Sequence, residues 1–137
     1  MSHGAGCLCG AVRVSIDAEP MLARACWCRL CQYLAAGNAT VNVVFPAEAV
    51  RVEGEVRWYE SVADSGANMS RGFCPRCGTQ IFSKSDRRPQ YLIVRSGALD
   101  DPDLLAPQGT IWTSAAPDWA CFDPDLPQFE RQPPPIG

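Results

Sequence analysis

Cys74-Pro75-Arg76-Cys77-Gly78 decides how the rest of this sequence is read. Two cysteines three apart on a tight turn aim both sulfurs at one point, and Gly78 can take the positive φ that closes the turn. Two thiolates are half of a tetrahedron. Cys7-Leu8-Cys9 supplies the other half if it lies in a strand, where residues i and i+2 face the same side, with Gly6 and Gly10 letting backbone approach closely. Together Cys7, Cys9, Cys74 and Cys77 would make a closed, structural zinc site, stitching the start of the chain to its middle across 64 intervening residues. The competing readings are a disulfide or free buried thiols, although Cys7 and Cys9 are poorly placed to bridge each other.

A second constellation is Cys26-Trp27-Cys28-Arg29-Leu30-Cys31, three thiols in six residues. Three protein ligands with a vacant fourth position is the arrangement of a catalytic zinc, open to substrate. A thiol entering such a site would be deprotonated by the metal and become a nucleophile at neutral pH. Two other readings compete. Cys28 and Cys31 alone form a C-x-x-C redox pair, here without a clear βαβ pattern around it. Alternatively Cys121 or His3 closes the site as a fourth ligand. Cys121, in Trp119-Ala120-Cys121-Phe122, reads better as a small apolar core residue, and His3 as a solvent-exposed group near a mobile terminus.

Around these cysteines the grammar is that of strands. Val12, Val14 and Ile16 alternate with Arg13 and Ser15, and Asp17-Ala18-Glu19-Pro20 then supplies a turn. Thr40 to Phe45, Val50 to Glu53, Val56 to Ser61, Asn68 to Phe73, Thr79 to Ser83, Tyr91 to Ser96 and Thr110 to Thr113 repeat the pattern. The expectation is a mainly β fold of packed antiparallel sheets. Helix is expected only as a turn or two over Leu30 to Ala36, ended by Gly37-Asn38. The proline-rich tail, 132–137, is expected to run extended over the surface or to be disordered.

With 137 residues, 47% of them hydrophobic and 20% charged, the chain is expected to fold as one domain, 1–137. A formal charge of −3 argues against nucleic acid as partner, and loading seven thiolates with two zinc ions would deepen it to about −6. No stretch reaches the ~18 apolar residues of a membrane span, and no basic, apolar leader opens the chain, so a cytoplasmic location is expected. In that reducing compartment eight cysteines are metal ligands or catalytic groups sooner than disulfides.

Three cysteine clusters in this order resemble the glutathione-dependent formaldehyde-activating family, which includes the centromere protein V type domains. The resemblance spans nearly the whole chain. It is carried by Gly6-Cys7-Leu8-Cys9-Gly10-Ala11-Val12-Arg13, the Cys26/Cys28/Cys31 cluster followed by Gly37, Phe73-Cys74-Pro75-Arg76-Cys77-Gly78-Thr79, Gly97-Ala98-Leu99-Asp100-Asp101-Pro102, and Trp119 with Asp125-Leu126-Pro127-Gln128-Phe129. It implies coiled antiparallel β-sheets organised around zinc, two zinc ions per chain: a structural one at Cys7, Cys9, Cys74 and Cys77, and a more labile one at Cys26, Cys28 and Cys31. The implied activity is carbon–sulfur lyase chemistry, making or cleaving S-hydroxymethylglutathione from glutathione and formaldehyde. The alternatives are a non-catalytic zinc module that binds another macromolecule, or a thiol redox protein using Cys28 and Cys31.

Two positions depart from the family pattern. Trp27 and Thr110 stand where family members commonly carry His, so a different handling of substrate is expected. Trp27 reads either as a packing group beside the metal or as a core aromatic. Glutathione carries two carboxylates that call for Arg forks, and Arg29 and Arg71 are the nearest candidates by sequence, against a competing reading of both as surface salt pairs.

Overall fold

A computed structural model describes residues 2–134 of the chain. Ten strands and one short helix follow in order: β1 (His3–Gly6), β2 (Arg13–Ile16), β3 (Leu22–Cys26), α1 (Arg29–Leu34), β4 (Thr40–Pro46), β5 (Val50–Glu53), β6 (Arg57–Val62), β7 (Asn68–Phe73), β8 (Gln80–Ser85), β9 (Tyr91–Arg95) and β10 (Thr110–Ile111). They form a three-stranded sheet, β1-β2-β5, and a seven-stranded sheet, β10-β3-β4-β9-β8-β7-β6. Every pairing is antiparallel except β10 against β3. The mainly β expectation holds. No helix among the described residues is long and apolar enough to cross a membrane.

The period of two sorts the large sheet into two faces. Val43 and Phe45 of β4, Phe82 of β8 and Val94 of β9 are fully buried and share one core with Val12, Val14 and Ile16 from around the small sheet. Their strand neighbours point the other way: Asn42 and Val44 of β4, Ser83 of β8, and Ile93 and Arg95 of β9 line a cavity instead. The sheets are also tied at a loop. Leu99 bridges to Ala5, the Asp100 amide donates to the Gly4 carbonyl at 2.9 Å, and Arg13 donates to both Asp100 carboxylate oxygens at 3.2 and 2.7 Å. This gives a structural reason for the Gly97-to-Pro102 motif, which acts as a latch between sheets.

Three expectations need correction. The strands β1 and β3 escape the sequence reading, because His-Gly-Ala-Gly and Leu-Ala-Arg-Ala-Cys hold few β-branched or aromatic residues and stand as strands through their partners. Cys7-Leu8-Cys9 is a turn rather than strand: Gly10 donates to the Cys7 carbonyl at 3.2 Å, and its φ of 81° closes the loop. The tail does not simply lie outside, since Gln132, Pro133 and Pro134 form part of the cavity wall, with Pro133 buried. Residues 135–137 of that tail lie outside the described residues.

Candidate metal centres and the cavity beside them

Two tight turns meet where β1 ends and β7 ends. In the second, the Gly78 amide donates to the Cys74 carbonyl at 2.8 Å and Gly78 takes φ 79°, matching Gly10 in the first. Amides also point at sulfur: Val12 N to Cys7 Sγ at 3.2 Å and Arg76 N to Cys74 Sγ at 3.4 Å. Such donors stabilise thiolate rather than thiol. Leu8 N donates to Thr79 Oγ1 at 3.0 Å, joining one turn to the other. The Cys77 thiol is held down to about 5, chiefly by the Thr79 hydroxyl 3.2 Å away and then by backbone amides.

The four sulfurs of Cys7, Cys9, Cys74 and Cys77 all lie within 4.8 Å of one another. Cys7 and Cys9 are 3.6 Å apart and Cys9 and Cys74 are 3.8 Å apart. A tetrahedron with zinc–sulfur bonds of ~2.3 Å has sulfur–sulfur edges of ~3.8 Å, so the donor set and its spacing fit zinc without rearrangement. No further side chain is needed to complete it.

Cys26, Cys28 and Cys31 form the second group, with sulfurs likewise within 4.8 Å of one another and all three side chains buried. Cys26 ends β3; Cys28 caps α1, its sulfur accepting from the Cys31 amide at 3.3 Å; Cys31 sits in the helix. Ala36 at φ 55° and Gly37 at φ 100° then turn the chain into β4. The three thiols share charge. Hydrogen bonds with Cys26 and Cys28, then Thr40 and the positive field of Arg95, hold Cys31 down to about 2, while hydrogen bonds with Cys28 and Cys31, and then burial, push Cys26 up. Three sulfurs so close together form a ligand set able to receive a cation.

Neither proposed fourth ligand joins this group. His3 lies in β1, bonded to Glu19 at 3.1 Å, so it is held in a sheet and not loose at a terminus. Cys121 is exposed, not a core residue, and donates to the Trp119 carbonyl at 3.8 Å. Trp27 is a core aromatic, edge-on to Trp119 and Phe122 with ring centres 6.1 and 6.0 Å away. Thr110 is buried within β10, in register with Ala25 of β3 across the parallel pair.

What the cluster does face is a cavity of about 450 Å³, walled by all three cysteines, Ile111, Trp112 and the cavity face of the large sheet. Trp112 reaches this wall through a left-handed backbone at φ 58°, and its Nε1 donates to Gln132 Oε1 at 3.1 Å, which ties down the tail. The two arginine candidates separate here. Arg29 is exposed, donates to Gln32 Oε1 at 2.6 Å and lies over the Tyr33 ring, so it stays with its helix. Arg71 is buried and lines the cavity, so the surface-pair reading fails for it. Sequence reasoning missed Arg95, also buried in the wall, though its place two residues after Ile93 on an alternating strand was a usable signal. From Arg95 a chain of polar groups runs to the cysteines: Arg95 Nη1 donates to Asn42 Oδ1, Asn42 Nδ2 donates to Thr40 Oγ1 at 3.1 Å, and Thr40 touches Cys31.

Two thiol clusters on antiparallel-rich sheets, one sealing a junction and one opening on a cavity, define a cysteine-rich β domain able to hold metal at two places. A family model described as Glutathione-dependent formaldehyde-activating enzyme matches residues 2–115, and the chain belongs to that family. Among solved structures, a Rhodobacter sphaeroides protein determined as a structural-genomics target is similar at 22% identity and TM-score 0.57, covering 76% of this chain and 96% of its own. That likeness concerns the fold. No curated protein matches.

Proposed function

We propose that this chain is a carbon–sulfur lyase that makes or cleaves a thiol–aldehyde adduct, with glutathione and formaldehyde as the pair its family implies. The observation that carries the reading is the opening of Cys26, Cys28 and Cys31 onto the cavity, where a substrate sulfur can approach all three. The other cluster has four ligands of its own and supports a structural role. In the forward direction the thiol sulfur bonds to the formaldehyde carbon, the carbonyl π pair moves to oxygen, and the thiol proton ends on that oxygen. The product is the hemithioacetal; cleavage reverses each step.

Zinc held by Cys26, Cys28 and Cys31 would favour the thiolate form of an incoming thiol at neutral pH. The chain's own residues hold and orient. Thr40 and Asn42 fix Cys31 against Arg95, and Val44, Ile93 and Ile111 supply an apolar wall that limits water around the reacting sulfur. Arg71 and Arg95 place positive charge where an anionic substrate would rest.

The uncatalysed addition is facile, so the test compares rates with a blank. Exchange among glutathione, formaldehyde and their adduct, followed by NMR, is expected to be faster with wild type than without protein, and folded Cys28→Ser should lose the acceleration. Equal rates in all three samples would overturn the lyase reading and favour a binding module. Formation of a Cys28–Cys31 disulfide coupled to substrate reduction would favour redox chemistry.

A further inference from the structure

Arg71 and Arg95 are 6% and 7% exposed, and neither has a carboxylate partner among the described residues. Each gives one guanidinium nitrogen to a neutral oxygen, Ser61 Oγ for Arg71 and Asn42 Oδ1 for Arg95, and each Nε is left without a hydrogen bond. Burying a guanidinium is costly unless a charge of opposite sign answers it. Here two lie close enough to feel each other's charge, as the downward push of Arg71 on Arg95 shows after the larger effect of burial. A cluster of three thiolates with one Zn²⁺ carries a net −1, which offsets one guanidinium and leaves the other uncompensated.

The surroundings point the same way. Six cations line the cavity, Arg24, Arg71, Lys84, Arg87, Arg88 and Arg95, in a chain whose formal charge is −3. Lys84 stands over the Trp58 ring, and Arg87 donates to the Ser65 carbonyl at 3.3 Å. The only acidic side chain among the described wall residues, Asp64, is exposed. The two arginines come from adjacent-but-one strands, β7 and β9, and share the cavity face with Ser83 between them.

We propose that Arg71 and Arg95 form a carboxylate clamp that selects anionic thiols for this cavity. That the selected ligand is a thiol rests on the lyase reading; the anion recognition of the clamp stands apart from any reaction. A planar guanidinium pair suits a carboxylate held by paired hydrogen bonds. Bound there, a carboxylate-bearing thiol of tripeptide size would extend its sulfur toward Cys26, Cys28 and Cys31 in the same cavity.

The probe is S-methylglutathione, which keeps both carboxylates and has no thiol to react, beside its dimethyl ester. In calorimetry on the zinc-loaded full chain, the acid should bind and the ester should bind about tenfold more weakly or worse, the scale of a lost charge-assisted hydrogen bond. Arg71→Met and Arg95→Met should each weaken the acid by about tenfold and leave the ester unchanged. Their melting temperatures should stay level or rise, because an uncompensated buried charge has been removed, whereas a purely structural arginine would lower them. Equal affinity for acid and ester on wild type would overturn the clamp even if neither variant folds, and so would no binding of either. Carboxylate-dependent binding without accelerated exchange overturns only the lyase reading. Accelerated exchange with acid and ester bound alike overturns only the clamp.

Discussion

Thr79 shows how much one hydroxyl can govern. It accepts from Leu8, touches Cys77 and so holds the Cys77 thiol near 5. A thiolate stripped of a donor takes up a proton more easily, and metal must leave as ligands are protonated. Zinc is therefore expected to leave Thr79→Val at higher pH than wild type on acid titration with a colorimetric zinc reporter; an unchanged or lower midpoint would refute this. Gly78 poses a simpler case. A Cβ there would meet nothing within 4 Å, so Gly78→Ala pays only for positive φ, about 1–2 kcal/mol, and Gly78→Asn should cost less in chemical denaturation. Arg13 and Asp100, each half exposed, should matter less still: Asp100→Asn is expected to cost no more than about 1 kcal/mol, and a larger loss would mean that the latch depends on this ion pair.

At the scale of elements, eight strands were legible because their alternation and β-branched residues carry information within a few positions. The strands β1 and β3 were not, since their residues are neutral to the choice and distant partners made it. The same division runs through the site. Cysteine spacing exposed both clusters, but the burial of Arg71 and Arg95 depended on which face of the large sheet was covered. That face cannot be read from one strand alone. The covered core face has its own test. Phe82 is fully buried and stacks on Trp58 at 5.8 Å, so Phe82→Ala should cost about 3–5 kcal/mol by denaturant unfolding while leaving zinc stoichiometry intact in folded protein.

For the whole molecule, the two clusters differ in what they join, and their metals should differ in turn. Chelator titration is expected to show two zinc classes, the weaker lost with Cys26, Cys28 or Cys31 substitutions and the tighter with Cys77→Ala, which should also aggregate. One class at one zinc per chain would contradict this. The spacing of the ligands also sets a timetable during synthesis. The three-thiol cluster is complete once residue 31 has emerged, whereas the four-thiol junction must wait for Cys77, with Cys7 and Cys9 exposed to oxidants and stray metals meanwhile. The first site able to capture metal is thus the one with three cysteine ligands rather than four. A ribosome-bound chain halted with residues 1–60 emerged should retain zinc in its middle cluster only transiently, and the nascent protein's most vulnerable interval is the stretch of translation between its first turn of cysteines and its last.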